Sequence, residues 1–278
     1  MRARRFLALG LVAGALAGCG GDEPASAPPA GPGALVWAVG DGADGGSRAK
    51  AVAAQIARDR PERVLYLGDV YEQGTPEEFR DHFASVYGSL ARRMAPTPGN
   101  HEWARRAEGY DPYWRRMKGR PLRHWYAFSL GGWRVLSLNS QDPANRAQLA
   151  FARRELARAR GTCVLAFWHR PRFNAGEHEE EEADVQPLWQ AVRGRVALIL
   201  SGHDHNLQRF RPVAGAVQYV VGAGGHSHYD VDEDDERLAF SRDDADGALR
   251  MRLAPGVARL SFVTAEGDEL DRTTVRCR

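Results

Sequence analysis

Cysteine and lysine are scarce in this 278-residue chain, with three and two residues. Three cysteines are too few to build a small disulfide-held scaffold, whose cysteine content runs several-fold higher. The two lysines, Lys50 and Lys118, leave the basic side of the balance to arginines that are scattered rather than blocked together. Without a basic block there is no arm for nucleic acid, and no nucleic-acid partner is expected. Apolar runs are short as well, and none approaches the roughly 20 residues that a bilayer-crossing helix needs. No internal repeat recurs, and no strand, glycine-rich turn and helix combine into a dinucleotide-binding unit. What is present is 43% hydrophobic and 27% charged residues with 30 Gly and 15 Pro. That is the make-up of a folded globular protein with a large core, not of a disordered or collagen-like chain.

Residues 1–18 read as a secretory signal, with Arg2, Arg4 and Arg5 ahead of an uncharged stretch at 6–17. Its end, Leu16-Ala17-Gly18-Cys19, resembles the bacterial lipobox, in which the Cys19 thiol is acylated and the chain is cut before it. The plainer alternative is an ordinary signal with a cysteine near its cleavage site. Residues 19–33 are too rich in Pro and Gly to pack, so they read as a flexible tether with a reach of roughly 20 Å. The expected location is the cell envelope, exported and held to the membrane by a lipid on Cys19. The formal charge of +2 belongs to the precursor, since loss of the three signal arginines leaves 35 basic residues against 36 acidic ones. Cys163 and Cys277 then remain in a disulfide-permissive compartment, either bonded to each other or as a buried thiol and a free terminal one.

Residues 34–278 form one domain with no second linker. Buried strands are expected at 34–39, 63–67, 125–129, 133–139, 162–168, 196–200 and 217–221, and helices at 48–58, 76–92, 111–116, 143–160 and 185–192. Asp142 is the expected N-cap of the fourth helix and Gly161 its stop. Continuously apolar strands alternating with helices predict an α/β sheet covered on both faces. The tail, 248–276, alternates and turns at Pro255-Gly256 and Gly267-Asp268, which predicts antiparallel strands in a second sheet. The acidic stretches 177–184 and 230–246 read as solvated loops. Trp37, Trp125, Trp133, Trp168 and Trp189 read as packing residues, while Trp103 and Tyr110 are placed to wall a substrate pocket.

The chemistry-bearing residues share one place in this pattern. Asp41, Asp69, Asn100-His101, His169, His203 and His205 each fall just past the carboxyl end of an apolar run or in the turn after it. That edge is where open α/β sheets bind ligands. A lone Asp there is ordinarily a helix cap and a lone His a satisfied polar residue, but together they bring one edge more donors than one ion needs. Hard oxygens mixed with imidazoles suit zinc, manganese or iron.

The blocks Gly40-Asp41-Gly42, Gly68-Asp69-Val70-Tyr71, Gly99-Asn100-His101-Glu102, Trp168-His169 and Gly202-His203-Asp204-His205 resemble those of the calcineurin-like metallophosphoesterase superfamily, most closely its purple acid phosphatase branch. The resemblance implies a four-layer α/β/β/α sandwich, two mixed sheets flanked by helices. It also implies two transition-metal ions, iron with zinc, manganese or a second iron. The first ion would take Asp41, Asp69 and His205, the second Asp69, Asn100, His169 and His203, with Asp69 bridging and a shared hydroxide attacking phosphorus. His101 would steady the phosphoryl group and protonate the leaving oxygen, with His178 a second catalytic and substrate-binding histidine.

The implied activity is hydrolysis of phosphate monoesters. Alternatives are a phosphodiesterase or nucleotide pyrophosphatase on the same centre, or a non-catalytic lipoprotein module. No protein partner is inferred.

Three features depart from the pattern. Tyr71, the expected phenolate ligand, lies two residues after Asp69 where the branch has three, so it either coordinates or packs under the loop. Arg170 stands where related sequences often have a histidine, placed to hold a phosphate oxygen or to pair with the acidic run at 177–182. The large N-terminal β-domain of plant purple acid phosphatases has no counterpart here. His226 and His228, after a glycine-rich turn, read as surface or supporting residues rather than ligands.

Overall fold

The computed structural model describes residues 33–277. The expected signal, Cys19 and nearly all of the tether lie outside the described residues. No described helix is long and apolar enough to cross a membrane.

The chain opens with β1 (Ala34–Val39), α1 (Ser47–Arg58) and β2 (Arg63–Tyr66). Next comes a helical run of α2 (Pro76–Glu78), a π-turn (Phe79–Phe83) and α3 (Ala84–Tyr87), followed by β3 (Met94–Pro96), α4 (Asn100–Trp103) and α5 (Tyr110–Lys118). β4 (Tyr126–Leu130), β5 (Trp133–Ser137), α6 (Arg146–Arg158), β6 (Cys163–Phe167), α7 (Gln186–Val192) and β7 (Leu198–Ser201) make the middle. β8 (Leu207–Phe210), β9 (Val217–Val221), β10 (Leu238–Arg242), β11 (Gly247–Ala254), β12 (Val257–Thr264) and β13 (Glu269–Arg276) complete it.

These strands form two mixed sheets, one ordered β13-β12-β11-β1-β2-β3 and the other β10-β8-β9-β7-β6-β5-β4. The inner faces share one core, in which Val36, Ala38 and Met251 meet Leu165, Leu200 and Val221. α1 covers the outer face of the first sheet with Ala49, Val52, Ala53 and Ile56, a three-and-four spacing that puts them on one side of the helix. α6 and α7 cover the second sheet around Trp168 and Trp189. The layers are therefore helix, sheet, sheet, helix, as expected. Trp37, Trp133, Trp168 and Trp189 are buried, and Trp125 packs half-buried against the same outer core.

Several local expectations need correction. The tail strands do not build a second sheet. β11 pairs antiparallel with β1, Ala34 opposite Leu253, so the tail extends the sheet that starts the domain. The reason is that Leu249, Met251 and Leu253 continue the apolar face that Val36 and Ala38 begin. The helix expected from Pro143 starts at Arg146, where the Asn145 side chain, not Asp142, accepts from the Ala147 and Gln148 backbone N–H groups. The acidic stretch at 230–246 contains β10, which closes the edge of the second sheet against β8. Tyr110 is buried in the core among Phe79 and Trp114. Trp103 lies beneath the Arg106 guanidinium, 4.1 Å from its ring centre.

Cys163, at the start of β6, is disulfide-bonded to Cys277, just past β13. The bond joins strands of different sheets across a sequence separation of 114 residues.

Candidate metal centre

Parallel strands β1, β2, β6 and β7 end on the same side of the sandwich, and their carboxyl ends deliver the donors. Asp41 and Asp69 are buried in the turns after β1 and β2. His169 follows β6, and His203 and His205 follow β7; all three are buried. Asp41, Asp69 and His203 hold left-handed backbone, with φ of 60°, 69° and 75°. That conformation costs an L-residue roughly 1–2 kcal/mol, and such outliers concentrate where a side chain must be aimed. Glycine is required beside them, because a side chain at Gly99 would collide with the Asp69 carboxylate and one at Gly202 with that of Asp41.

Two foci result. Ligand atoms of Asp69, His169 and His203 lie within 4.8 Å of one another. The Asn100 side-chain oxygen reaches the same place, 2.8 Å from His169 Nε2. The second focus gathers on the Tyr71 hydroxyl, 2.8 Å from His205 Nε2 and 3.2 Å from the Asp41 carboxylate. Tyr71 is therefore not packed away under its loop. Its oxygen stands beside His205 and Asp41 in this second focus despite the short spacing from Asp69.

Supporting bonds orient these groups. His169 Nδ1 donates to the Leu67 carbonyl at 2.8 Å, which leaves Nε2 facing the focus. The Asp41 carboxylate accepts from the His203 backbone N–H at 2.9 Å and that of Asp69 from the His101 backbone N–H at 3.1 Å. Glu102, the last residue of the Gly99-Asn100-His101-Glu102 block, is buried beneath the site. It accepts from Gly99 N–H at 2.7 Å and Val70 N–H at 3.1 Å, tying the loop after β2 to the loop after β3. Asp204 does the same for the loop after β7, accepting from Asn206 and from the His178 backbone N–H. Both lie inside motif blocks, and that was the only signal the sequence offered.

The electrostatics fit a cation. Burial pushes the Asp41 carboxyl well up, with Asp69 adding repulsion, whereas burial of Asp69 is offset by His169 at 3.4 Å together with His101 and His203, which hold its carboxyl low. Burial would lower His169, but the Asp69 charge lifts it to about 9. Burial pushes His203 down to about 4 and His205 down to about 3, the neutral form that coordinates metal. Glu102 is pushed up to about 7 by burial and by Asp69. Buried carboxylates converging with neutral imidazoles, an amide oxygen and a phenol are a donor set for borderline transition metals, so the residues fit the implied pair of ions.

The remaining expected residues fall around the rim. His101 Nδ1 lies 2.7 Å from the Glu72 carbonyl, and its Nε2 lies 3.8 Å from Asp69. The His178 ring centre is 4.4 Å from that of His203, with Nδ1 buried and without a hydrogen-bond partner among the described residues. Arg170 is taken by Glu181 at 2.9 Å and Asp184 at 3.1 Å rather than left free for a phosphate. The acidic stretch at 177–184 is consequently more than a solvated loop. It folds as a 3-10 turn over Glu179–Val185 and sets Glu181 3.0 Å from His203 Nε2. His226 stacks on Tyr71 with ring centres 3.9 Å apart, and His228 bonds Asp246 at 2.8 Å, so both support the site from its outer side.

A family model described as calcineurin-like phosphoesterase matches residues 34–207. Tartrate-resistant acid phosphatase type 5 of Mus musculus is 25% identical over 273 residues, covering 82% of this chain and 83% of that protein. Among solved structures, the purple acid phosphatase PPD1 from yellow lupin seeds has a TM-score of 0.73 at 19% identity, over 87% of this chain and 53% of that one. The Plasmodium protein GAP50, titled the anchor in the inner membrane complex, has a TM-score of 0.71 at 13% identity, over 88% and 89%. At these identities the two solved structures share the fold.

Proposed function

The chain belongs to the calcineurin-like phosphoesterase family, and from that premise we propose that it hydrolyses phosphate monoesters at a dinuclear centre held by Asp41, Asp69, Tyr71, Asn100, His169, His203 and His205. The observation that carries the reading is the gathering of these donors, two buried carboxylates among them, into two foci at one strand-end edge. The similarity to acid phosphatases supports the monoester preference.

A metal pair bound there supplies an activated water and charge neutralisation for the phosphoryl oxygens. The chain's own groups do the rest. Asp41 and Asp69 would hold the metal charge in place, and the Leu67 carbonyl fixes the tautomer of His169. The His101 Nδ1–H donates to the Glu72 carbonyl, so the imidazolium form would carry its second proton on Nε2 and give that proton to the leaving oxygen as the P–O bond breaks and water oxygen takes its place on phosphorus, leaving the ring neutral. His178 faces the first focus, beside His203, and contacts the phosphoryl group. Arg170 acts through Glu181, holding that carboxylate against His203.

Export and anchoring through Cys19 belong to the same proposal. The Cys163–Cys277 disulfide supports them, because such bonds persist outside the reducing cytosol.

Metal analysis of the purified protein should find about two equivalents of transition metal per chain. Hydrolysis of an aryl phosphate monoester should exceed that of the matching diester. A folded, metal-free protein would overturn the centre, and a diester preference would move the activity to the phosphodiesterase reading.

A further inference from the structure

A second cavity lies where the edge strands of the two sheets, β3 and β4, face each other. Its volume is about 330 Å³, at the small end of the roughly 300–1,000 Å³ of ligand sites. Five of its lining side chains are cations: Arg63, Arg92, Lys118, Arg120 and Arg123. The lining contains no carboxylate, and none of the five makes an ion pair among the described residues. Arg63 stands at the start of β2 and Asp69 six residues on, so the cavity is roughly 20 Å from the metal centre.

Unpaired cations on an open surface are ordinarily just solvated, but these are not all open. The Arg63 guanidinium lies over the Phe128 ring, 5.6 Å from its centre, and its Nε is buried with no acceptor among the described residues. Lys118 is partly buried with its amine donating to three backbone carbonyls, those of Ala91 and Arg92 at 3.2 Å and that of Met94. Burial and the neighbouring Arg63 push that amine down to about 8. Tyr126 and Phe128, stacked with ring centres 6.2 Å apart, give the cavity an aromatic wall. Positive groups held together with a vacant donor and a half-buried aromatic surface ask for an anion attached to something apolar.

We propose that this cavity is an anion site separate from the metal centre, in which the arginines hold the phosphate of a small organic phosphate while its apolar part lies on Tyr126 and Phe128. The same chemistry can come from a soluble ester or from a lipid headgroup. β1 enters the domain at this end of the first sheet, Val36 standing opposite Arg63.

Having only two lysines makes the test clean. Lys118 lines the cavity, and Lys50 is exposed on the first turn of α1. Trace acetylation of the intact protein near pH 8, read by mass spectrometry, gives both rates in one sample. Phenylphosphonate, which is not hydrolysed, should slow Lys118 roughly tenfold at ten times its dissociation constant and leave Lys50 unchanged. The double variant Arg120→Ser/Arg123→Ser, altered only at exposed rim positions, should need much more ligand for the same protection and keep its phosphatase activity. Protection by phosphatidylglycerol vesicles, absent with phosphatidylcholine and with phenylphosphonate, would assign the anion to a lipid. No protection by either, equal slowing of both lysines, or undiminished protection in the double variant would overturn the site.

Discussion

At the carboxyl ends of β1, β2, β6 and β7 each buried charge is answered by another group: Asp69 by His169, Asp41 by Tyr71 and the His203 N–H, Arg170 by Glu181 and Asp184. At the cavity between β3 and β4, five cations share one wall with no carboxylate among them. The first region is pre-organised, with donors fixed by backbone and supporting bonds before any ligand arrives. The second is held together by packing and left in electrostatic tension that an anion would relieve. Charge alone therefore does not make the two regions alike, because at the strand-end edge the charges are matched, oriented and buried.

Removing a matched charge should have the largest effect. Asp69→Asn is expected to lower turnover of an aryl phosphate by roughly 10³-fold while the fold, read by circular dichroism, is kept. Full activity in that variant would place the centre elsewhere. A staple that serves neither region comes next. Cys163→Ala should cost roughly 2–4 kcal/mol, seen as a melting temperature lower by roughly 5–10 °C, with turnover at 25 °C unchanged.

A supporting bond of the catalytic edge should cost less than a donor. Glu102→Gln, which weakens the tie between the loops after β2 and β3, should reduce metal affinity roughly 10–100-fold in a chelator titration. Unchanged affinity would reduce Glu102 to a packing role.

The smallest effect belongs to the cationic cavity. The folded Lys118 amine titrates at about 8, whereas an unfolded lysine titrates at about 10.4. Between these values the unfolded chain holds the extra proton, so this residue makes stability rise with pH across that window. Urea midpoints from pH 7 to 10 should show a rise that Lys118→Met removes; an unaltered profile would break the contrast between the two regions.

The catalytic edge was far more legible in the sequence than the cavity. Asp41, Asp69, Asn100, His169, His203 and His205 each follow a strand in the chain, so local pattern and residue type already placed them at one edge. Tyr71 needed the fold, because only the tertiary structure brings its hydroxyl beside His205, 134 residues on. Glu181 was hidden in a run of acids whose partner, His203, lies 22 residues away. β8 and β10 are short, and their pairing across more than 20 residues makes them strands rather than any apolar pattern of their own. The cavity was invisible because its arginines are scattered among many others and meet only where two sheet edges come together.

By itself the sequence determined the strand-end donors, the α/β layering and the family resemblance, since these follow from side-chain type and short-range periodicity. The tertiary structure alone decided which sheet receives the tail, that Cys163 meets Cys277, where Arg170 and Glu181 point, and that five basic side chains share one wall. Those outcomes depend on contacts between distant segments, and no local pattern encodes the free energy of bringing such segments together.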